Sequence, residues 1–185
     1  MNKIPRLAPD IPFPAYAFIP GKLPHPTRNP EGHSYGHEPE PADALHPERW
    51  SQNPHYLFGI DLFNHGYYWE AHEAWEDAWH ASGHHTHPGR FLKALIQFTA
   101  VGVKALEGRI HGVHTLCKCA RRGFISLSLE MMPPNGVYMG LSLAELIRLT
   151  HTIDANSQTL PDAAKAILGF ELKTVAVEKY LEEKA

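Results

Sequence analysis

Cysteine is scarce in this 185-residue chain, which has only Cys117 and Cys119. Neighbours this close rarely form a disulfide, so free thiols in a reducing compartment, the cytoplasm, are expected. Basic charge is scarce too: 17 Lys and Arg stand against 20 Asp and Glu, a net charge of −3. Only Lys118, Arg121 and Arg122 bunch. Without a basic stripe, neither nucleic acid nor an anionic membrane is an expected partner. No apolar run reaches the roughly 18 residues of a membrane span, and no charged start with a following apolar run marks a secretion signal. Several catalytic signatures are missing as well. There is no G-x-S-x-G turn, no Gly-rich phosphate loop, no CxxC and no HExxH.

Proline and aromatic side chains are what the chain does have. Eleven of its 16 prolines precede Arg49. Proline fixes φ and removes a hydrogen-bond donor, so residues 1–49 are predicted to be extended rather than helix or central strand. Two readings of this segment exist, a solvated tail and an arm lying on the rest of the chain. Phe13, Tyr16, Phe18, Ile19 and Tyr35 favour the arm, with those side chains as anchors.

From Trp50 the apolar spacing becomes helical, and residues 50–160 are predicted to form a helical domain. A first helix begins at Pro54, capped by Asn53 or Ser51, and stops at "NHG", with Gly66 in the left-handed region. A second runs from about Tyr67 to Ser82, a third from about Pro88 to Gly108, and a fourth over Ile110–Met131. The third, "PGRFLKALIQFTAVGVKALEG", is apolar almost all round and should be the buried centre. "SLAELIRLTHTI" starts a fifth, with Ser142 and Glu145 as a capping box. The expected fold class is therefore all-α: a bundle of about five helices around a central apolar helix, preceded by the Pro-rich arm. Residues 161–185 are ambiguous, with an extended piece expected near Phe170–Val175. "FNHGYYWEAHEAWE" and "ALEGRIHGVHTLCK" also echo each other 42 residues apart, matching Gly66 with Gly108 and His72 with His114.

Between His65 and His87 stand three tryptophans, two tyrosines, six histidines and four acids. At 100° per residue, Ala71, Ala74, Trp75 and Ala78 share one side of the second helix. His72, Glu76 and Trp79 share the next. His72 and Glu76 are one turn apart, so their side chains can meet. That spacing suits a divalent metal ion, which both groups could reach. It equally suits a carboxylate orienting an imidazole for proton transfer, or an ordinary hydrogen bond satisfying a buried histidine. Trp69, Trp75 and Trp79 would supply apolar walls. Glu73 and Gln97 are further pocket candidates, although Glu73 points about 100° away from His72 and Gln97 is the one long amide of the central helix.

"FNHGYYWEAHEAWEDAWH" resembles the signature of the bacterial and archaeal family catalogued as domain of unknown function 309, with its H-x-x-x-E-x-x-W/Y pattern. The pattern falls on His72, Glu76 and Trp79. "FLKALIQFTAVGVKALEG" and "GLSL" extend the resemblance over about Pro54 to Ile153. It implies a small all-helical domain whose motif is suspected of binding metal, and it implies no reaction. Ser142 stands where that family often has an acid.

Other histidines could join such a site. His25, His33 and His37 lie on the arm, where "GHSYG" suits a tight turn. His114 would join only if the two hairpins packed symmetrically. His80, His84, His85 and His87 read as a solvated loop with adventitious metal affinity. Cys117 reads as a buried thiol. Three functions stay open: a binding or scaffold module for a small molecule or protein partner, a metal-dependent or acid–base enzyme using His72 and Glu76, and a structural His–Glu network with homo-oligomer contacts through Trp69 and the arm.

Overall fold

The computed structural model describes residues 4–38, 41–157 and 172. Its five α-helices are α1 (Pro54–Asn64), α2 (Tyr68–Ser82), α3 (His87–Leu106), α4 (Ile110–Met131) and α5 (Leu143–Asn156). A short 3-10 turn, Pro47–Gln52, precedes α1. The fold is all-α, as the periodicity predicts. The termini form where the capping chemistry requires. Asn53 accepts the Tyr56 N–H with Pro54 in the first turn of α1, and Ser142 accepts the Glu145 N–H at the start of α5. The 42-residue echo is a repeated turn. Gly66 and Gly108 have φ of 84° and 81°, and each lies two residues before its helix.

α3 packs against both α2 and α4, α1 against α2, and α4 against α5. The core runs along α3 through the buried Phe91, Leu92, Leu95, Phe98 and Val101, with Tyr56, Phe63, Trp75 and Phe124 closing on them. Among the described residues, no helix is long and apolar enough to cross a membrane. Sequence patterning gave no hint of the small hairpin of β1 (Val137–Tyr138) and β2 (Leu141–Ser142). Its antiparallel register pairs Val137 with Ser142 and Tyr138 with Leu141. The two turn residues, Met139 and Gly140, both have positive φ, and the buried Met139 carbonyl accepts the Tyr56 hydroxyl at 2.8 Å. The extended piece expected near Phe170–Val175 lies outside the described residues except for Leu172. That residue is buried, and its N–H and carbonyl both hydrogen-bond the Asn64 side-chain amide at 2.7 and 3.1 Å.

The Pro-rich arm lies on the helices of its own chain. Phe13 stacks on Tyr67 (5.1 Å between centroids) and touches His65, while the buried Phe18 meets the Trp69 ring edge-on at 5.0 Å. Tyr35 is no anchor: it is half-exposed within the "GHSYG" turn. The strongest tie is polar. Asp61 of α1, 1% exposed, accepts the Leu7 and Ala8 N–H groups at 2.8 and 2.9 Å, with Arg6 Nε at 3.5 Å as an ion-pair partner. The Arg6 guanidinium in turn sits 4.0 Å from the centre of the Phe13 ring.

Two consequences can be measured. A Cβ at Gly59 would fall 2.1 Å from Trp75 Nε1, the atom that donates to the Tyr56 carbonyl. Alanine gains about 1 kcal/mol of helix propensity, but overpacking and the strained hydrogen bond outweigh it. Gly59→Ala is expected to destabilise by about 2–3 kcal/mol in urea unfolding. Asp61→Ala leaves two partly buried N–H donors and Arg6 uncompensated, a cost of roughly 2–4 kcal/mol. Limited proteolysis should then cut within the first 20 residues, which the parent chain resists.

Candidate functional site

Helix α2 carries the candidate site because its two faces differ. Ala71, Trp75 and Ala78 are buried against the core, and Trp75 is wholly enclosed. Trp75 is therefore core and no wall of a pocket. The adjoining edge holds His72 and Glu76, with side chains 28% and 40% exposed and Nε2 3.7 Å from Oε2. That separation is longer than a hydrogen bond. Trp69 flanks the imidazole, nearly parallel to it at 6.3 Å. Glu73 also turns toward the pair. One ligand atom each from His72, Glu73 and Glu76 lies within 4.8 Å of the other two, the only such group of three or more metal-ligating side chains among the described residues. Helix angle alone points Glu73 away, but a glutamate's three side-chain torsions bring its carboxylate back around the edge.

Electrostatics prepare this cluster for a cation. Burial lowers the His72 pKa below the ordinary 6.5, against the opposing pull of Glu76 and a hydrogen bond to the Ile96 backbone. The ring is therefore neutral at pH 7, with a lone pair to offer. Glu73 is shifted the other way, above 4.5, first by burial and then by the charges of Glu76, Asp77 and Glu70, which outweigh Arg28. The site is a crowd of like charge.

Other expected members lie elsewhere. Gln97 is on the far side of α3, in a groove with Arg90, Lys93, Cys119 and Arg122. Ile96 faces α2, and the next residue is turned 100° toward α4. Trp79 stacks on His84 of the following loop at 4.0 Å, with its Nε1 buried and unpartnered, so the pocket wall is Trp69 instead. His114 does not converge on His72; its Nδ1 bonds Asp154 of α5 at 2.8 Å, where Arg121 also pairs. Cys117 is a buried thiol, pushed up to about 12 mainly by desolvation. His80, expected in the solvated loop, is in the last turn of α2 and faces His84 of the following loop at 3.0 Å.

Residues 56–116 match the family model of a domain of unknown function, DUF309. The matched stretch begins in α1, contains all of α2 and α3, and ends in α4. It thus holds His72, Glu73, Glu76 and Trp79 but stops short of the "GLSL" segment. No curated protein matches the chain.

The sequence reading missed Glu70. It is 7% exposed, and its Oε1 accepts the Phe18 N–H at 2.9 Å and meets His33 Nε2 at 3.1 Å. His33, expected as a possible ligand beside His72, instead closes the arm over Glu70. The available signal for the other buried acid was clear: Asp61 is the lone charge in the apolar run "YLFGIDLF".

The Glu73 shift has a stability consequence with a definite sign. A carboxyl whose pKa is raised by folding favours the folded state below its unfolded value and opposes it once pH rises through the folded value. Glu73→Gln is therefore expected to raise metal-free thermal stability at pH 7 and to leave it unchanged near pH 4. Because the side chain is exposed, the gain stays within about 1 kcal/mol. Thermal melts at the two pH values check this.

Proposed function

We propose that the protein is a helical binding domain whose α2 edge takes one divalent metal ion on His72, Glu73 and Glu76. The observation that carries this reading is the convergence of their ligand atoms to within 4.8 Å of one another. Ligand atoms sharing one zinc-sized ion stand about 3–4 Å apart, so small rotations of half-exposed side chains complete the set. One imidazole and two carboxylates suit manganese, iron(II) or zinc better than a soft ion. Three ligands on a single helix leave the remaining coordination positions to water or to a bound molecule. The exposure of His72 and Glu76, with no hydrogen bond between them, argues against a sealed structural network.

Calorimetric titration with Mn²⁺ and Zn²⁺ tests this on protein made without an affinity tag. One ion per chain is expected. Glu76→Ala and His72→Ala should each weaken it at least tenfold while circular dichroism stays unchanged. His84→Ala, which breaks the loop pair, should leave it intact. Affinity should rise with pH and level off by neutrality, since protons compete at His72 below 6.5 and at Glu73. Unchanged affinity in Glu76→Ala, or loss only in His84→Ala, would refute the assignment.

A further inference from the structure

Folding gathers basic charge that the sequence scatters. Of the three cations that bunch in the sequence of α4, Arg121 is taken by Asp154 of α5 at 3.1 Å. Arg122 instead lines a groove of about 330 Å³ between α3 and α4. Arg90, Lys93 and Gln97 line it from α3, and Cys119 and Ser126 join Arg122 from α4. Among the described residues no carboxylate lines it. Ala94 and Gly123 form the closest approach of the two helices, since a Cβ on Gly123 would stand 2.9 Å from that of Ala94. Arg90 Nη2 donates to Ser126 Oγ at 3.0 Å, which fixes the antiparallel register. Lys93 and Arg122 each precede a residue of that contact, so they stand on the groove's two sides about 3 Å apart along the axes. Glu130 meets Arg90 at 2.7 Å at one end. Neither Lys93 nor Arg122 meets a carboxylate among the described residues. Two like charges across a helix contact repel, and an anion between them turns that repulsion into attraction.

We propose that this groove binds a phosphate group, free or as the monoester of a small molecule, held between Lys93 and Arg122. A guanidinium presents paired N–H donors that match two phosphate oxygens, and an ammonium adds a point charge with three donors. Two cations without carboxylate partners match the charge of a phosphate dianion. Gln97, one turn beyond Lys93, offers an amide N–H to a further oxygen. Arg90, one turn before it, is held by Ser126 and Glu130 and closes the other end. The volume is at the lower end for small-molecule sites and exceeds what bare phosphate fills, which leaves room for the organic part of an ester. A nucleic-acid strand fits less well, because it needs a run of phosphate contacts and the chain carries a net charge of −3. The groove is on the side of α3 turned away from α2, so this site stands apart from the metal reading.

The test is calorimetric titration of the full chain with inorganic phosphate and with glycerol 3-phosphate at fixed ionic strength, with glycerol as the uncharged control. EDTA in the buffer removes any metal through which phosphate could bind at the α2 edge. One saturable site is expected for both anions and none for glycerol. Tighter binding of the ester assigns a phosphorylated small molecule, and equal binding assigns inorganic phosphate. Lys93→Ala and Arg122→Ala, both at exposed positions, should each weaken binding at least tenfold with circular dichroism unchanged. Lys118→Ala removes an exposed cation of α4 that does not line the groove, and should leave affinity unaltered. Non-saturating heats, full affinity in Lys93→Ala or Arg122→Ala, or an equal loss in Lys118→Ala would overturn the proposal. So would a single-stranded oligonucleotide that binds more tightly than either anion.

Discussion

Two buried carboxylates organise the molecule around the seam between arm and helices. Asp61 and Glu70 lie in adjacent helices, and each accepts backbone N–H groups from a segment more than 50 residues earlier. A carboxylate buried in this way needs donors, and the extended arm, with no secondary structure to use its N–H groups, supplies them to both oxygens of Asp61 and to Oε1 of Glu70. The arm thereby becomes a wall, and the acidic edge of α2 becomes the lining of a cavity instead of open surface.

The same helix faces three environments. Its alanine and Trp75 side is buried in the core, with Trp75 against α1, its His72–Glu76 edge is half in water, and Glu70 is sealed under the arm. Charge therefore accumulates along α2, and at Glu73 the charges of Glu76, Asp77 and Glu70 outweigh that of Arg28. The upward shift of Glu73 and the unpartnered Oε2 of Glu70 express one condition, an excess of negative charge that the fold tolerates. Function and stability pull in opposite directions at such a place.

Local features were legible in the sequence. Asn53, Pro54, Ser142 and Gly66 mark helix ends through short-range hydrogen bonding and φ preference, and the all-round apolar third helix is the core. The His72–Glu76 adjacency follows from helical rise alone. What was not legible depends on the third dimension. Residue type points to Gln97 and helix angle to Trp79, but their neighbours are set by how α3 turns toward α4 and where the loop after α2 folds back. Met139 at a positive φ gave no turn signal, since that position usually calls for Asn, Asp or Gly. The pairing of His33 with Glu70 joins residues 37 apart through a non-repetitive arm, and no periodicity encodes it.

The arm is gripped by its main chain. Asp61 and Glu70 read the amides of Leu7, Ala8 and Phe18, so nearly any side chain there preserves the polar grip, and one residue type destroys it. Proline has no amide hydrogen to give. In a stretch this rich in proline, the rings fall at 5, 9, 12, 14 and 20 and spare 7, 8 and 18. The spaces between the prolines are thus as informative as the prolines themselves: they mark where the chain must keep a hydrogen to hand over.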